Sequence, residues 1–202
     1  MASQPISWHQ PLLERYIGLR KAKRMPHAVL LSSADGTGAD VAVNELARAH
    51  LCDSPSVLSI GRACGECKAC SLNEAGTHPD LLAIEPEGKS MTIKVDQVRA
   101  INTFSANTPQ IAGSQVCIIH GADRMNQNAS NALLKVLEEP TGNMMLVLET
   151  SVPELLLPTI RSRCQLQRLE VPDEDQTAHF LKLLGFKPVS YTHLTLPTTS
   201  RV

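Results

Sequence analysis

Four short aliphatic runs limit most strongly what this 202-residue chain can fold into: Ala28-Val29-Leu30-Leu31 and residues 81–84, 116–119 and 144–148. Unbroken apolar runs of this length, without polar alternation, read as strands buried on both faces, as in a parallel sheet. Each is separated from the next by enough chain for a helical crossover, which a parallel pair requires. Apolar residues make up 43% of the chain with only one Trp, two Tyr and three Phe, so the core is aliphatic and suits such a sheet.

The first run leads into Ser32-Ser33-Ala34-Asp35-Gly36-Thr37-Gly38, after which Val43, Leu46, Ala47 and Leu51 fall on one helical face. Strand, glycine loop and helix in that order form P-loop architecture. Pro11 starts an earlier helix with Leu13, Tyr16 and Ile17 on one face, and Arg20, Lys21, Lys23 and Arg24 read as its solvated end. A further helix over residues 125–139 carries Met125, Ala129, Ala132, Leu133, Val136 and Leu137 as a stripe, and Pro140 stops it. Val171-Pro172-Asp173 reads as a hinge into a helix over 175–184 closed by Gly185. The expected organisation is an α/β domain over 1–171 with an insert at about 52–78, the start of a helical domain at 172–187, and a tail at 188–202. The Thr-rich pattern of that tail does not continue the helix before it; it reads as foreign to the protein, with a genuine disordered tail as the alternative.

A working P-loop needs a Lys for the β and γ phosphates and a Ser or Thr hydroxyl for Mg²⁺. Aligned on Gly38, this chain has Ser33 in place of the first Gly, Ala39 in place of Lys and Asp40 in place of Ser/Thr, with Gly36 inside the loop. Asp40 sets a negative charge against phosphates, and Ala39 removes the loop's cation. The strand over 116–119 ends in His120-Gly121 where acidic residues would hold Mg²⁺. The loop is expected to bind no ATP, although a Gly-Thr-Gly turn alone is equally a tight strand-to-helix turn.

Cys64-Gly65-Glu66-Cys67-Lys68-Ala69-Cys70 is a CxxCxxC run, and Cys52 stands twelve positions before Cys64. Four thiols at knuckle spacing suit a closed tetrahedral Zn²⁺ site of structural kind. An iron–sulfur cluster or plain reduced cysteines are the alternatives, and His78 is a weak substitute ligand. Cys117 and Cys164 read as buried thiols.

Together, Pro26-His27-Ala28, the cysteine insert followed by Gly76-Thr77-His78-Pro79-Asp80, the run Ser130-Asn131-Ala132-Leu133-Leu134-Lys135-Val136-Leu137-Glu138-Glu139-Pro140, and Arg161-Ser162-Arg163-Cys164 resemble the bacterial clamp-loader family. The losses at Ala39, Asp40, His120 and Gly121 place the resemblance in its delta-prime branch rather than with the ATP-active gamma/tau branch. What it implies is an AAA+ module, a parallel sheet flanked by helices with a zinc-knuckle insert, and a small helical lid beginning near Pro172. It also implies a helical collar beyond residue 187 that this sequence does not carry.

The resemblance further implies that Arg163, within Ser162-Arg163-Cys164, acts in trans as an arginine finger on a neighbour's ATP. The plainer reading of Arg163 is a surface ion pair after a short helix broken at Pro158. Thr150 falls at the family's first sensor position and, with no nucleotide to sense, is expected to cap residues 153–157 or satisfy a loop. Expected partners are the gamma/tau and delta subunits, with the sliding clamp and primer-template DNA reached through the complex. No catalysis is expected of the chain itself; the parent holoenzyme is a DNA-directed DNA polymerase. A gamma/tau-like ATPase and a zinc-knuckle nucleic-acid-binding module are the rival readings. The net charge of −1 offers no global positive field for nucleic acid. With no basic, apolar leader and no 18-residue apolar stretch, no membrane is expected as partner, and the cytoplasm is the expected compartment.

Overall fold

The computed structural model describes residues 6–183 except Lys89 and Thr141, and the structural statements below concern those residues. The tail over 188–202 and the expected end of the last helix at residues 184 and 185 lie outside them. Five strands form one sheet in the order β2-β3-β4-β1-β5, with every pairing parallel: β1 (Ala28–Ser32), β2 (Leu81–Ile84), β3 (Gln115–Ile119), β4 (Met144–Thr150) and β5 (Gln165–Arg168). This is the AAA+ sheet flanked by helices implied above. Four strands are the aliphatic runs. The fifth, Gln-Leu-Gln-Arg, is polar because it is an edge strand, and only its register with β1, Leu30 opposite Leu166, makes it a strand.

Period-two alternation splits the core into two layers. On one face Leu31, Val116, Ile118, Met145 and Val147 pack with α1 (Gln10–Lys21) and α2 (Ala39–Leu51). On the other, Leu30, Cys117, Ile119, Leu146 and Leu148 pack with α5 (Val95–Ala106), α6 (Gln127–Glu138) and α7 (Pro158–Arg161). Between α2 and β2 lie the short α3 (Val57–Ile60) and α4 (Lys68–Glu74).

The helix expected over 125–139 is α6, and it starts later because the Asn126 side chain caps it by accepting from the Ala129 N–H at 2.8 Å. Its buried residues Ala129, Leu133, Val136 and Leu137 are four of the expected stripe. Pro158 opens α7 rather than breaking a helix; its fixed φ and missing N–H suit the first helical turn. The chain divides into two compact units at Val171/Pro172, the second containing α8 (Glu174–Leu183). No helix among the described residues is long and apolar enough to cross a membrane.

Candidate metal centre and nucleotide-like loop

Cys52 ends α2, Cys64 precedes α4, Cys67 caps α4 and Cys70 lies in its first turn. Their four Sγ atoms lie within 4.8 Å of one another. Cys52 to Cys67 is 3.9 Å and Cys64 to Cys70 is 3.8 Å. A disulfide needs about 2.0 Å, so all four are free thiols. Sulfurs about 2.3 Å from a central ion at tetrahedral angles stand a little under 4 Å apart, so the set fits one ion. An iron–sulfur cube would spread its thiolates over separate irons and hold them wider apart.

Backbone N–H groups also point at the sulfurs: those of Cys64, Cys67 and Cys70 donate to Cys52, Cys64 and Cys67 at 3.5, 3.4 and 3.4 Å. Such donors favour thiolates. The N–H groups of Glu66 and Cys67 draw the Cys64 thiol down to about 6. Burial pushes Cys52 and Cys70 up instead, a cost that a bound dication would remove. His78 is outside the cluster. Its Nδ1 accepts the Asp80 N–H at 3.1 Å.

The glycine loop joins β1 directly to α2, as the expected order requires. Gly38 caps α2 with φ +74°, a conformation that side chains rarely adopt. What fills the surroundings differs from a phosphate site. The Thr37 hydroxyl donates to the Ala34 carbonyl at 2.8 Å, and the Thr37 carbonyl accepts the Trp8 indole N–H at 2.8 Å and lies 3.2 Å from His9 Nε2. Ser33 and Ala39 are buried, while Asp40 is exposed in the first turn of α2. Asp40, Glu85 and Glu149 line a cleft of about 400 Å³ together with His120 and Arg124. The cleft thus carries three carboxylates against the one guanidinium of Arg124. His120, where a metal-holding acid was sought, lies 3.3 Å from Glu149, which also accepts the Gly121 N–H at 3.3 Å.

Thr150 is fully buried, donates to Asp123 at 2.6 Å and accepts the Val152 N–H at 3.1 Å. It therefore satisfies a loop, and the turn over Pro153–Leu155 has no side-chain cap. Arg163 lies just past α7, with Nη1 donating to the Thr159 carbonyl at 3.0 Å and Nη2 paired with Glu138 at 2.7 Å. Both partners are well exposed. Ser162 donates to the same carbonyl. Cys164 is half-buried, and burial pushes its thiol up to about 12.

Asp80 ends the Gly76-Thr77-His78-Pro79-Asp80 motif, and its buried carboxylate accepts three backbone N–H groups, from Gln110, Ile111 and Ala112 at 2.7, 2.8 and 3.1 Å. Arg20 departs from its expected place in a solvated helix end: it donates to the carbonyls of Ala49 and Cys52 at 2.5 and 3.4 Å. No sequence signal marks Arg20 apart from Lys21, Lys23 and Arg24. The lone Trp was the one cue available for the clamp on Thr37.

A family model described as DNA polymerase III, delta subunit, matches residues 8–173. The DNA polymerase III subunit delta′ of Pseudomonas aeruginosa is 43% identical over 165 residues, covering 82% of this chain and 48% of that protein. Its counterpart in Escherichia coli is 36% identical over 174 residues, covering 86% and 51%. The chain thus spans about half the length of the curated relatives it matches. Among solved structures, a gamma-subunit-related protein of Thermotoga maritima superposes with TM-score 0.58 at 28% identity, covering 89% of this chain and 54% of that one. A RuvB mutant shares the fold, with TM-score 0.51 at 15% identity over 92% of this chain and 52% of its own.

Proposed function

From its membership of the DNA polymerase III delta subunit family, to which this chain belongs, we propose that it serves in the bacterial clamp loader as a delta-prime-type subunit that neither binds nor hydrolyses ATP. The observation that carries this reading is the nucleotide-like loop: Ala39 supplies no cation where a working loop has Lys, and Asp40 opens the following helix with an exposed carboxylate where it has Ser or Thr. A gamma/tau-like ATPase would have to bind a polyanion against that charge. The role left to such a subunit is structural and electrostatic, exerted on ATP held by a gamma/tau neighbour while delta, the sliding clamp and primer-template DNA engage the same complex.

Arg163 is the group to act across that boundary. It stands on the surface, and Thr159 and Glu138 hold its guanidinium at the end of α7. A guanidinium beside a γ-phosphate stabilises charge developing on its oxygens, and an anion of that charge competes readily with one exposed carboxylate. Cys52, Cys64, Cys67 and Cys70 hold a structural Zn²⁺ that ties the 52–78 insert to α2; with all four corners taken by sulfur, the ion supplies folding energy and no chemistry.

In the assembled loader, Arg163→Ala should leave folding and zinc content intact and depress DNA-stimulated ATP hydrolysis; unchanged hydrolysis refutes the finger. Titration of the isolated chain with fluorescent ATP should give no saturable binding, and micromolar affinity would revive the ATPase reading. Strong, salt-dependent DNA binding by the isolated chain would instead favour a nucleic-acid module.

A further inference from the structure

Three of the four sulfurs come from one tight knuckle, but Cys52 does not. It is the C-cap of α2, with extended backbone, and its place depends on how the last turn of that helix is held. Helix C-termini leave carbonyls without intrahelical partners. Here two of them, Ala49 and Cys52, are met by one guanidinium from another element: Arg20 Nη1 at 2.5 Å and Nη2 at 3.4 Å. The rest of α1 is fixed beside the same turn. The Tyr16 hydroxyl meets His50 Nδ1, and Tyr16 and Ile17 share a core layer with Leu51 and Cys52. A planar fork delivering two N–H groups sets direction as well as distance, which an ammonium on a flexible stem does not.

We propose that Arg20 is a positioning residue for the metal centre, holding the Ala49 and Cys52 carbonyls so that the Cys52 sulfur stands at the fourth corner before metal binds. This rests on reading the four cysteines as a metal site. The basic run accordingly divides in function: Lys21, Lys23 and Arg24 are exposed, whereas Arg20 is half-buried against α2. A metal loses affinity when the ligand it needs must first be ordered, and groups behind the ligands typically change metal affinity by about 10–100-fold.

The test compares Arg20→Met, Arg20→Lys and the control Leu13→Ala with the unmodified protein. Zn²⁺ affinity is measured by competition with a chromophoric chelator, and the visible spectrum of the Co²⁺-loaded form reports the ligand set. Leu13→Ala removes a buried α1 side chain while leaving the Arg20 guanidinium that meets both carbonyls. Arg20→Met should weaken Zn²⁺ about 10–100-fold and reduce the tetrahedral thiolate bands of Co²⁺. Arg20→Lys should fall between it and the unmodified protein, and Leu13→Ala should bind as the unmodified protein does. If Arg20→Met fails to fold by circular dichroism, Arg20→Lys decides alone and must bind more weakly. Unchanged affinity in the folded Arg20 variants, or an equal loss in Leu13→Ala, overturns the proposal. A failure of the unmodified protein to bind Zn²⁺ overturns the metal reading itself, and is distinguished by being independent of Arg20.

Discussion

Replacing Asp80 with Asn tests how this chain joins its loops to its sheet. Asp80 precedes β2, its carbonyl accepts the Val116 N–H of β3, and its carboxylate gathers the N–H groups of Gln110, Ile111 and Ala112 from the loop before β3. One oxygen takes Gln110 and the other takes Ile111 and Ala112. An Asn can orient its oxygen toward the pair, but its NH₂ then faces the Gln110 N–H and leaves that donor without an acceptor. One unmade bond costs about 1–3 kcal/mol, and the two that remain lose the charge that makes such bonds about twice as strong. Together the loss should be about 2–4 kcal/mol by urea unfolding, which for a chain of this size lowers Tm by about 5–15 °C.

The pH dependence of that loss has a definite sign. Burial alone would raise the Asp80 carboxyl, but the donors from Gln110, Ala112 and Ile111 outweigh it and hold it below its ordinary value. A carboxyl depressed in the folded state stabilises above its unfolded pKa, and that stability is lost as pH falls through the folded value. The difference between parent and Asp80→Asn should therefore be flat from about pH 8 to 5 and shrink below about pH 4. A loss under about 0.5 kcal/mol at neutral pH, or a difference that does not shrink in acid, would refute the reasoning.

The protein should hold about one equivalent of zinc, and Cys64→Ser should retain less than half of it by metal analysis; a coloured, sulfide-containing protein would overturn the single-ion site. Thr150→Val strips a buried hydroxyl from Asp123 and from the Val152 N–H, and should cost about 1–3 kcal/mol in urea unfolding. An unchanged midpoint would show that the bridge adds nothing. Glu138→Ala frees Arg163 from an exposed pair and should shift stability by less than about 1 kcal/mol by the same measurement.

Much of the fold was readable because buried parallel strands carry continuous aliphatic sequence: Leu81–Ile84 was found to the residue. β5 was not, since an edge strand with one covered side keeps Gln and Arg, and pairing rather than composition defines it. Nor was α5 placed beyond a generic crossover, because only Val98, Ile101 and Ser105 of its twelve residues are buried, too thin a stripe to stand out.

By itself the sequence determined what depends on neighbours along the chain: strand, loop and helix in P-loop order, the knuckle spacing of Cys64, Cys67 and Cys70, and the missing lysine at Ala39. Covalent spacing constrains such contacts before the chain folds. The tertiary structure alone decided the strand order, the clamp of Trp8 and His9 on Thr37, the hold of Arg20 on Ala49 and Cys52, and the three donors on Asp80. Each of these latter contacts to Thr37, Ala49, Cys52 and Asp80 joins residues roughly 30 positions apart. At that separation the chain fixes neither distance nor direction, and only the packing of α1, α2 and the sheet against one another brings the partners within bonding reach.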